Sequence, residues 1–397
     1  MPQSPLVVLI APDEFKESLR ARDAAIAIAR GVALGAERAG VRIECDLAPL
    51  SDGGAGFVDT LVAARNGETR RDRVTGPLGE PVEAQWGLLP PGEGEREATA
   101  VVELSAAAGM ALVPRDRRDP THTTTFGVGE LIARSLDAGA GTVLLGIGNS
   151  ATCDAGAGMA AALGVRFLDA QGAPIARPTG ADLGRIARID AGARDARLAR
   201  TRVVVACDVD NPLFGPRGAA FVFAPQKGAT PEQVRTLDDG LRALAQRCAE
   251  AGIDADPDEP GSGAAGGVGF GARAFLGATS ARGAVIAFDA LGFDRRLLRA
   301  DLLITGEGRL DAQSLGGKAP FEAARRAAEA GALCVALVGA TGEGWERATR
   351  ARGGPFDEVV VIADPDASLA ANIKRGGANL EAHAARIVER LVRAGRL

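Results

Sequence analysis

The chain has 397 residues, of which 46% are apolar and 24% charged, and its formal net charge is −5. This composition is typical of ordinary globular proteins. The acidic balance argues against a nucleic-acid partner or a membrane-surface role, which would need a basic excess, and no apolar run is long enough to span a bilayer. The start of the chain lacks signal-peptide features, and five scattered cysteines without a CxxC pattern predict a reducing cytoplasm.

Short apolar runs rich in β-branched residues predict strands that are buried on both faces of a parallel sheet. In chain order these runs are 6–11, 100–104, 142–147, 202–207, 301–305, 333–339 and 358–363. Helical patterns lie between or after them, at 17–34, 230–252, 317–331 and about 378–394. Thr230 as N-cap and Pro231 at the first helical position mark the clearest helix start. The alternation of strands and helices predicts an α/β fold with mostly parallel sheets.

The first strands and the last three are alike in character, which favours a discontinuous domain made of both chain ends. We predict that this domain comprises residues 1–74 plus 284–397, and that residues 75–283 form an inserted second α/β domain. The Pro- and Gly-rich stretch 254–267 is a further candidate for a crossing between the domains.

Polar or Gly-rich loops follow five of the strands. Because ligands bind beyond the carboxyl ends of parallel strands, we expect these loops to form one or two ligand-binding edges. The loops are 12–18 (PDEFKES), 51–56 (SDGGAG), 148–156 (GNSATCDAG), 208–213 (DVDNPL) and 306–311 (GEGRLD).

Lysine is rare in this chain, since only Lys16, Lys227, Lys318 and Lys374 occur among 46 basic residues. The first three lie in loops that follow strands or precede helices. One interpretation is a compact ammonium placed beside a phosphate, where a guanidinium fork would not fit. The alternative is an ordinary solvated side chain.

Two acidic loops allow more than one interpretation. Residues 51–56 form either a tight turn capped by Ser51 or Asp52, or a nest of backbone N–H groups for an anion. Asp208 follows a buried strand and, with Asp210 and Asn211, predicts an Asx turn that carries a metal ligand or a general base.

The segment 305–318 gathers charged side chains among four glycines. Its position after a buried strand favours a phosphate and Mg²⁺ site, although a surface loop with internal ion pairs is the alternative. It is not a Walker A motif, because Ala319 follows the lysine. Its polar side chains are Glu307, Arg309, Asp311, Ser314 and Lys318.

The stretch 142–159 matches a dinucleotide-binding pattern through Gly146, Gly148 and Ala151, and Asp169 follows at the spacing of a ribose-binding acid. This match predicts an NAD(P)-dependent oxidoreductase acting on a small hydroxy acid. A loop that holds another phosphate, and a sugar-acid binding protein without chemistry, are the other classes.

Eight ordered motifs resemble the bacterial glycerate kinases of the glycerate 2-kinase type. The resemblance implies an ATP-dependent kinase that converts D-glycerate to 2-phosphoglycerate. It also implies one discontinuous flavodoxin-like domain and one restriction-endonuclease-like domain. Within residues 146–159 three positions depart from the family pattern, because Asn149, Cys153 and Ala155 replace Gly, Asn and Gly. Glu14 and Phe15, where the family commonly has Ser and Tyr, and the segment 344–356 are further departures. The motifs span 10–19, 51–61, 74–87, 103–113, 118–132, 146–164, 206–229 and 302–320.

Together, the loops and the resemblance give a set of candidate site residues. Lys16 and Asp208 are the predicted catalytic residues, Asp208 as the base that accepts the hydroxyl proton and Asp52 as the second choice for that role. We further expect the helix that begins near Asp154 to offer its N-terminus to a phosphate. The predicted substrate contacts are Ser51, Asp52, Asn211 and Arg309. The predicted ATP contacts are Gly146, Gly148, Ser150, Thr152, Lys227 and Lys318, and the predicted Mg²⁺ ligands are Glu307 and Asp311. The partner is a small molecule, with nucleic acid and membrane excluded and a homodimer left open.

Overall fold

The computed structural model describes residues 5–51, 53–54, 56–92, 96–312 and 314–397. In chain order, the strands of these residues are β1 Leu6–Pro12, β2 Ile43–Leu47, β3 Glu68–Thr75, β4 Pro81–Leu89, β5 Ala98–Glu103, β6 Ala140–Gly146, β7 Arg166–Leu168, β8 Arg188–Asp190, β9 Arg202–Ala206, β10 Thr279–Ala281, β11 Leu302–Leu310, β12 Leu333–Thr341 and β13 Glu358–Val361.

The α-helices of the same residues are α1 Ala21–Ala39, α2 Phe57–Ala64, α3 Leu104–Ala108, α4 Phe126–Asp137, α5 Ala157–Ala162, α6 Ala219–Phe223, α7 Pro231–Glu250, α8 Ala264–Leu276, α9 Gly283–Leu291, α10 Phe293–Leu297, α11 Ala319–Ala330 and α12 Leu369–Arg393. Short 3₁₀ segments occupy Met110–Leu112, Arg115–Arg117, Gly180–Arg185, Ala196–Ala199, Pro225–Lys227, Ser314–Gly316, Trp345–Ala348 and Arg350–Arg352. No helix in the described part of the chain is both long and apolar enough to cross a membrane.

The chain divides into two compact units. Unit 1 comprises Met1–Asp52 and Ala284–Leu397, and unit 2 comprises Gly53–Gly283. The sequence placed the first boundary at residue 74, whereas residues 53–74 group with unit 2 because β3 pairs with β4 there. The stretch 254–267 lies inside unit 2, so the prediction that it crosses between domains is wrong.

Unit 1 is a three-layer α/β unit around a five-stranded parallel sheet, with strand order β13-β12-β11-β1-β2. Alternate residues of β1 enter opposite cores: Val8 and Ile10 pack with α1 and α12, whereas Leu9 and Ala11 pack with α9, α10 and α11. The apolar run of β1 is therefore continuous because both of its faces are buried.

Helices α1 and α12 approach each other closely in unit 1 because α1 carries glycine where they meet. A Cβ built on Gly31 would lie 2.2 Å from the carbonyl oxygen of Glu381, and one on Gly35 would lie 2.4 Å from that of Ala385. Neither distance leaves room for a side chain, so these glycines set the spacing of the two helices.

Unit 2 contains a six-stranded mixed sheet with strand order β10-β9-β6-β5-β4-β3. Strands β10, β9, β6 and β5 are parallel, whereas β4 and β3 pair antiparallel at one edge. A short antiparallel pair, β7 and β8, lies apart from this sheet. The observed sheets confirm the predicted α/β class, and the labels flavodoxin-like and restriction-endonuclease-like stay predictions.

All four predicted helices are present, and two of them, α7 and α11, have the expected ends. Helix α7 begins after Thr230, whose side chain and that of Gln233 form a reciprocal capping box, and Pro231 occupies the first turn. Helix α11 ends at Gly331 in the left-handed conformation. Helix α1 begins four residues later than predicted, because Phe15 and Leu19 close a turn in which Glu17 has a φ of 64°.

Candidate functional site

A cavity of about 490 Å³ lies in unit 1, beyond the carboxyl ends of β1, β11, β12 and β13. The order of the strands along the chain changes direction between β1 and β11, since β2 follows on one side and β12 and β13 on the other. This topological switch point is where open α/β sheets bind ligands.

Three basic side chains that the sequence analysis named as candidate site residues line this cavity. Lys16 stands exposed on the turn after β1, Arg309 lies near the end of β11, and Lys318 is the N-cap residue of α11. These residues are about 300 positions apart in the sequence. They lie close together, as expected for loops that follow parallel strands, because β1 and β11 are adjacent.

Acidic side chains line the same cavity and pair with two of the cations. The Nζ of Lys318 lies 3.4 Å from Oε2 of Glu307 and 3.4 Å from Oγ of Ser314. The Nε of Arg309 lies 3.5 Å from Oδ2 of Asp311. The segment 305–318 therefore contains internal ion pairs, as the alternative interpretation expected, and its charged side chains also cluster in the cavity.

Glu307 is the most deeply placed acid of this cluster, with a side chain that is 8% exposed. Burial raises the pKa of Glu307 above its ordinary value, and the Lys318 ammonium acts in the opposite direction. Among the described residues, its Oε1 has no hydrogen-bond partner. A buried carboxylate oxygen without a partner is costly, so a bound cation or hydrogen-bond donor would stabilise it.

The turn after β1 packs tightly against β11. A Cβ on Gly308 would lie 3.2 Å from the amide nitrogen of Lys16, and one on Gly306 would lie 2.0 Å from the carbonyl oxygen of Leu337. The amide of Glu14 donates to Oδ1 of Asp13 at 2.7 Å and fixes the start of the turn. The glycines of the segment 305–308 therefore serve strand packing, which positions Lys16 next to β11.

Unit 2 contains most of the predicted ATP contacts. Gly146 and Gly148 follow β6, and the space beside them is filled by backbone: a Cβ on Gly146 would lie 2.7 Å from the carbonyl oxygen of Gly53, and one on Gly148 would lie 2.8 Å from the Cα of Gly54. The absence of side chains at Gly146 and Gly148 thus allows the backbone of Gly53 and Gly54 to pack against them. That these two glycines contact a phosphate stays a prediction.

Ser150, Thr152 and Lys227 form one buried cluster in unit 2. The Nζ of Lys227 donates to Oγ of Ser150 and to the carbonyl oxygen of Thr152, both at 2.7 Å. Burial lowers the pKa of Lys227, which is 3% exposed, to about 8. The buried lysine therefore stabilises the loop after β6 through hydrogen bonds. The sequence did not indicate this arrangement.

The short helix α5 does not present free N–H groups to a ligand. The carboxylate of Asp154 accepts from the amides of Gly156 and Gly158, both at 3.2 Å, and the amide of Met159 donates to Oγ1 of Thr125. Asp154 is fully buried. Burial raises the pKa of its carboxyl above the ordinary value, although the hydrogen bonds that it accepts act to lower it. The prediction that this helix offers its N-terminus to a phosphate is wrong, because Asp154 occupies that position itself.

Asp208 and Asn211 lie on the loop after β9. The exposed carboxylate of Asp208 accepts from the amide of Gly283 at 3.2 Å, and Nδ2 of Asn211 donates to the carbonyl oxygen of Arg217 at 2.8 Å. Ser51 is buried, and Asp52 lies outside the described residues. The amide of Val58, at the start of α2, donates to Oε1 of Glu103 at 2.8 Å, so an acid that the sequence did not single out serves this helix end.

Within the described residues, no group of three or more His, Cys, Asp or Glu side chains could hold a metal ion. Glu307 and Asp311 nevertheless offer hard oxygen ligands, one of them unpartnered. Such a set suits Mg²⁺, which takes one or two carboxylates and completes its coordination with water and substrate phosphates.

The wall of the cavity formed by α12 was missed by the sequence analysis, which began this helix near residue 378. Leu369, Ile373 and Asn379 line the cavity from its first turns. Ser368 accepts from the amide of Ala371 at 3.2 Å as the N-cap. A serine before an apolar residue is a helix-start signal, so this helix start could have been recognised.

The nicotinamide alternative depended on Gly146, Gly148, Ala151 and Asp169. A dinucleotide-binding turn leads directly from strand to helix, but α5 begins at Ala157, eleven residues after Gly146. Asp169 accepts from the amides of Gln171 and Ala173, both at 2.9 Å, and so closes its own turn. Its carboxylate therefore has a local structural role.

Comparison with known proteins identifies close relatives over most of the chain. A family model described as "Glycerate kinase family" matches residues 8–392. The chain is 46% identical over 332 residues to the glycerate kinase of Bacillus subtilis (strain 168), covering 84% of each chain. It is 44% identical over 317 residues to the glycerate 2-kinase of Escherichia coli (strain K12), covering 79% of this chain and 80% of the relative.

A solved structure shows the same architecture. The crystal structure of a protein assigned as glycerate kinase 2 from Salmonella typhimurium LT2 matches with a TM-score of 0.85 and 39% identity, covering 99% of this chain and all of the other. None of these matches supports an oxidoreductase, so that alternative is set aside.

Proposed function

This chain belongs to the glycerate kinase family, and from that premise we propose that it transfers the γ-phosphoryl group of ATP to the 2-hydroxyl of D-glycerate. The products are ADP and 2-phosphoglycerate. The name of the Escherichia coli relative, glycerate 2-kinase, supports the position of the phosphate.

One structural observation supports the proposal independently of the similarity to known glycerate kinases. A single cavity at the switch point of a parallel sheet is lined by three basic and two acidic side chains, Lys16, Arg309, Lys318, Glu307 and Asp311. Phosphoryl transfer requires positioning and the neutralisation of oxygen charge more than covalent chemistry. A cavity with several cations and two hard-oxygen acids provides both.

We assign Lys16 to the transferring phosphoryl group or to the glycerate carboxylate. Its side chain is exposed on a turn that packs closely against β11, so the ammonium can reach a phosphate or a carboxylate bound beside that strand. Arg309, whose side chain is 66% exposed, can bind a carboxylate through two parallel hydrogen bonds. Lys318 serves the ATP phosphates.

Glu307 and Asp311 would hold Mg²⁺, directly or through water. The ion, when bound, neutralises charge on the phosphates. The unpartnered Oε1 of Glu307 supports this role. The Lys318 ammonium, which pairs with Oε2 of the same carboxylate, holds that side chain in place.

Asp208 is our first choice for the base. As the 2-oxygen of glycerate forms its bond to the γ-phosphorus, its proton passes to the Asp208 carboxylate, and the bond from phosphorus to the bridging oxygen of ADP breaks. The amide of Gly283 donates to Oδ1 of Asp208 and orients this exposed carboxylate. Asp52 is the alternative base.

Ser51 and Asn211 remain proposed substrate contacts, and Gly146, Gly148, Ser150, Thr152 and Lys227 remain proposed members of the phosphate loop. Their observed contacts support a framework role, in which buried hydrogen bonds and close backbone packing hold the loop after β6. We also retain a homodimer and a cytoplasmic location as proposals from the sequence.

The substitution Asp208→Asn tests the assignment of the base. We expect kcat for ADP release with D-glycerate and Mg²⁺·ATP to fall by roughly 10²–10⁴, because the amide cannot accept the proton. Asp210→Asn is the matched control, since Asp210 is also exposed on the same loop, and its kcat should stay near that of the unsubstituted protein. Near-normal turnover of Asp208→Asn would remove the assignment, and absence of ADP release from the unsubstituted protein would defeat the kinase proposal.

A further inference from the structure

The turn that carries Lys16 is closed by its own backbone. The amide of Phe15 donates to the carbonyl oxygen of Leu19 at 2.8 Å, and the amides of Ser18 and Leu19 donate to that of Phe15 at 2.8 and 2.9 Å. Glu17, which is exposed beside Lys16 in this turn, has a φ of 64°. This conformation is unfavourable for a residue with a Cβ, so contacts from the surrounding structure must maintain it.

One such contact comes from helix α12, at the other end of the chain. The hydroxyl of Ser18, which is partly buried, donates to the carbonyl oxygen of Ile373 at 2.7 Å. Gly376, three residues further along the helix, lies against the same hydroxyl, since a Cβ built on it would be 2.2 Å from Oγ of Ser18. The absence of a side chain at Gly376 therefore allows the turn to approach the helix closely enough for this hydrogen bond.

Helix α12 is a firm anchor for the turn. It packs along α1, and its buried Leu380 and Val388 belong to the same core as Phe15. The turn also contacts β11, where a Cβ built on Gly308 would lie 3.2 Å from the amide nitrogen of Lys16. Two elements of unit 1 thus hold the backbone of the turn, while the side chain of Lys16 is exposed.

We propose that Ser18 is a positioning residue for phosphoryl transfer, because its hydrogen bond to α12 holds the turn 13–19 in the conformation that presents Lys16 to the cavity. The proposal rests on the proposed function in that Lys16 binds a reacting group. Ser18 acts through Lys16, although both residues line the cavity. Positioning matters because a displacement of about 1 Å can lower the rate of an enzyme reaction on the order of a hundredfold.

Ser18→Ala removes the hydrogen bond and keeps the Cβ. We expect kcat/KM for D-glycerate at saturating Mg²⁺·ATP to fall about tenfold, because the Lys16 ammonium is then misplaced for part of the time. In a Lys16→Ala protein the same substitution should cause no further loss, because the ammonium that Ser18 positions is already absent. Ser135→Ala is the matched control, since Ser135 also donates its hydroxyl to a helix carbonyl, that of Leu131 at 2.8 Å, but lies in α4 of unit 2. Its kcat/KM should be unchanged.

Gly376→Ala tests the same contact from the side of the helix. The added methyl group would lie 2.2 Å from Oγ of Ser18 and displace the hydroxyl. We therefore expect a similar loss of kcat/KM, although alanine favours a helix more than glycine does. In the double variant Gly376→Ala/Ser18→Ala, the new methyl group would lie 3.5 Å from the Cβ of residue 18, an ordinary contact. The double variant should therefore be no less active than Ser18→Ala alone.

Hydrogen–deuterium exchange of the full-length protein reports on the turn without any turnover. We expect the amides of Ser18 and Leu19 to exchange about fivefold faster in Ser18→Ala, as for the loss of one hydrogen bond, and at an unchanged rate in Ser135→Ala. Unchanged exchange or unchanged kcat/KM in Ser18→Ala would overturn the proposal, and so would an equal loss of kcat/KM with and without Lys16. If exchange rises while the unsubstituted protein does not phosphorylate D-glycerate, the anchoring of the turn by Ser18 stands and the proposed function falls.

Discussion

Asn149 and Ala155 occupy left-handed backbone positions, with φ values of 58° and 49°. They are two of the three positions within 146–159 at which the sequence departs from the family pattern, and both replace glycine. Asparagine tolerates this conformation better than other residues with a Cβ, and the exposed position of Asn149 leaves its side chain in solvent. The left-handed backbone at these two positions favours glycine even without a ligand.

The strain at Ala155 leads to a prediction about stability. Ala155→Gly relieves about 1–2 kcal/mol of left-handed strain, but loses a buried methyl group and raises unfolded-state entropy, together about 1.5 kcal/mol. The net change in unfolding free energy should be within about 1 kcal/mol of zero. Ala160→Gly, at an equally buried position inside α5, lacks the relief and should cost about 2 kcal/mol.

Denaturant unfolding of both variants measures this difference. Equal destabilisation by the two substitutions would show that Ala155 is unstrained and that the explanation of the glycine pattern is incorrect.

The sequence identified the residues of the charged cavity well and the buried cluster poorly. Lys16, Glu307, Arg309, Asp311 and Lys318 follow strands, and the geometry of a parallel sheet alone brings such positions together. The rarity of lysine also drew attention to Lys227, but its burial depends on tertiary packing around Ser150 and Thr152, which no local pattern encodes.

At the scale of elements, Lys227 fastens the 3₁₀ turn Pro225–Lys227 to the loop after β6 through its two hydrogen bonds. The pKa of Lys227 is about 8 in the folded protein and about 10.4 in an unfolded chain. This difference fixes the direction in which the unfolding free energy changes with pH. Between these values the unfolded state binds more protons, so this lysine's contribution to stability rises with pH. Below pH 8 its buried charge opposes folding.

Lys227→Met removes that dependence. We expect the unfolding free energy of the unsubstituted protein minus that of Lys227→Met to increase from pH 7 to pH 10, by up to about 3 kcal/mol. Buried thiols that do not interact with Lys227, such as Cys248 and Cys334, whose pKa values burial raises, act in the opposite direction in both proteins and cancel in the difference. Cys153 and Asp154 interact electrostatically with Lys227, so their contribution stays part of the difference. A difference that is flat or falls with pH would contradict the assignment of a buried ammonium.

The central strands of the parallel sheets were predictable because burial on both faces makes them continuous apolar runs, as in β1, β6, β9 and β12. The exposed edge strand β10 was not predicted. Strands β3 and β4 were missed within residues 66–98. Their alternating exposed residues and their antiparallel pairing at the sheet edge produce a polar segment that looks like a linker.

At the scale of the whole molecule, the discontinuous arrangement of unit 1 follows from its sheet. Strands β1 and β2 come from the start of the chain and β11, β12 and β13 from its end, yet all five are hydrogen-bonded neighbours. The likeness of the terminal strands indicated this arrangement. The position of the first boundary was less predictable, because residues 57–75 contain ordinary helix and strand patterns that could belong to either unit.

The central claim, that the protein phosphorylates the 2-hydroxyl of glycerate, is tested most directly by coupling its product to enolase. Purified full-length protein is incubated with Mg²⁺·ATP, D-glycerate and enolase, with no phosphoglycerate mutase present. We predict that phosphoenolpyruvate forms at the same rate as ADP. ADP release with phosphoenolpyruvate appearing only after mutase is added would show that the 3-hydroxyl is the acceptor and would contradict the claim.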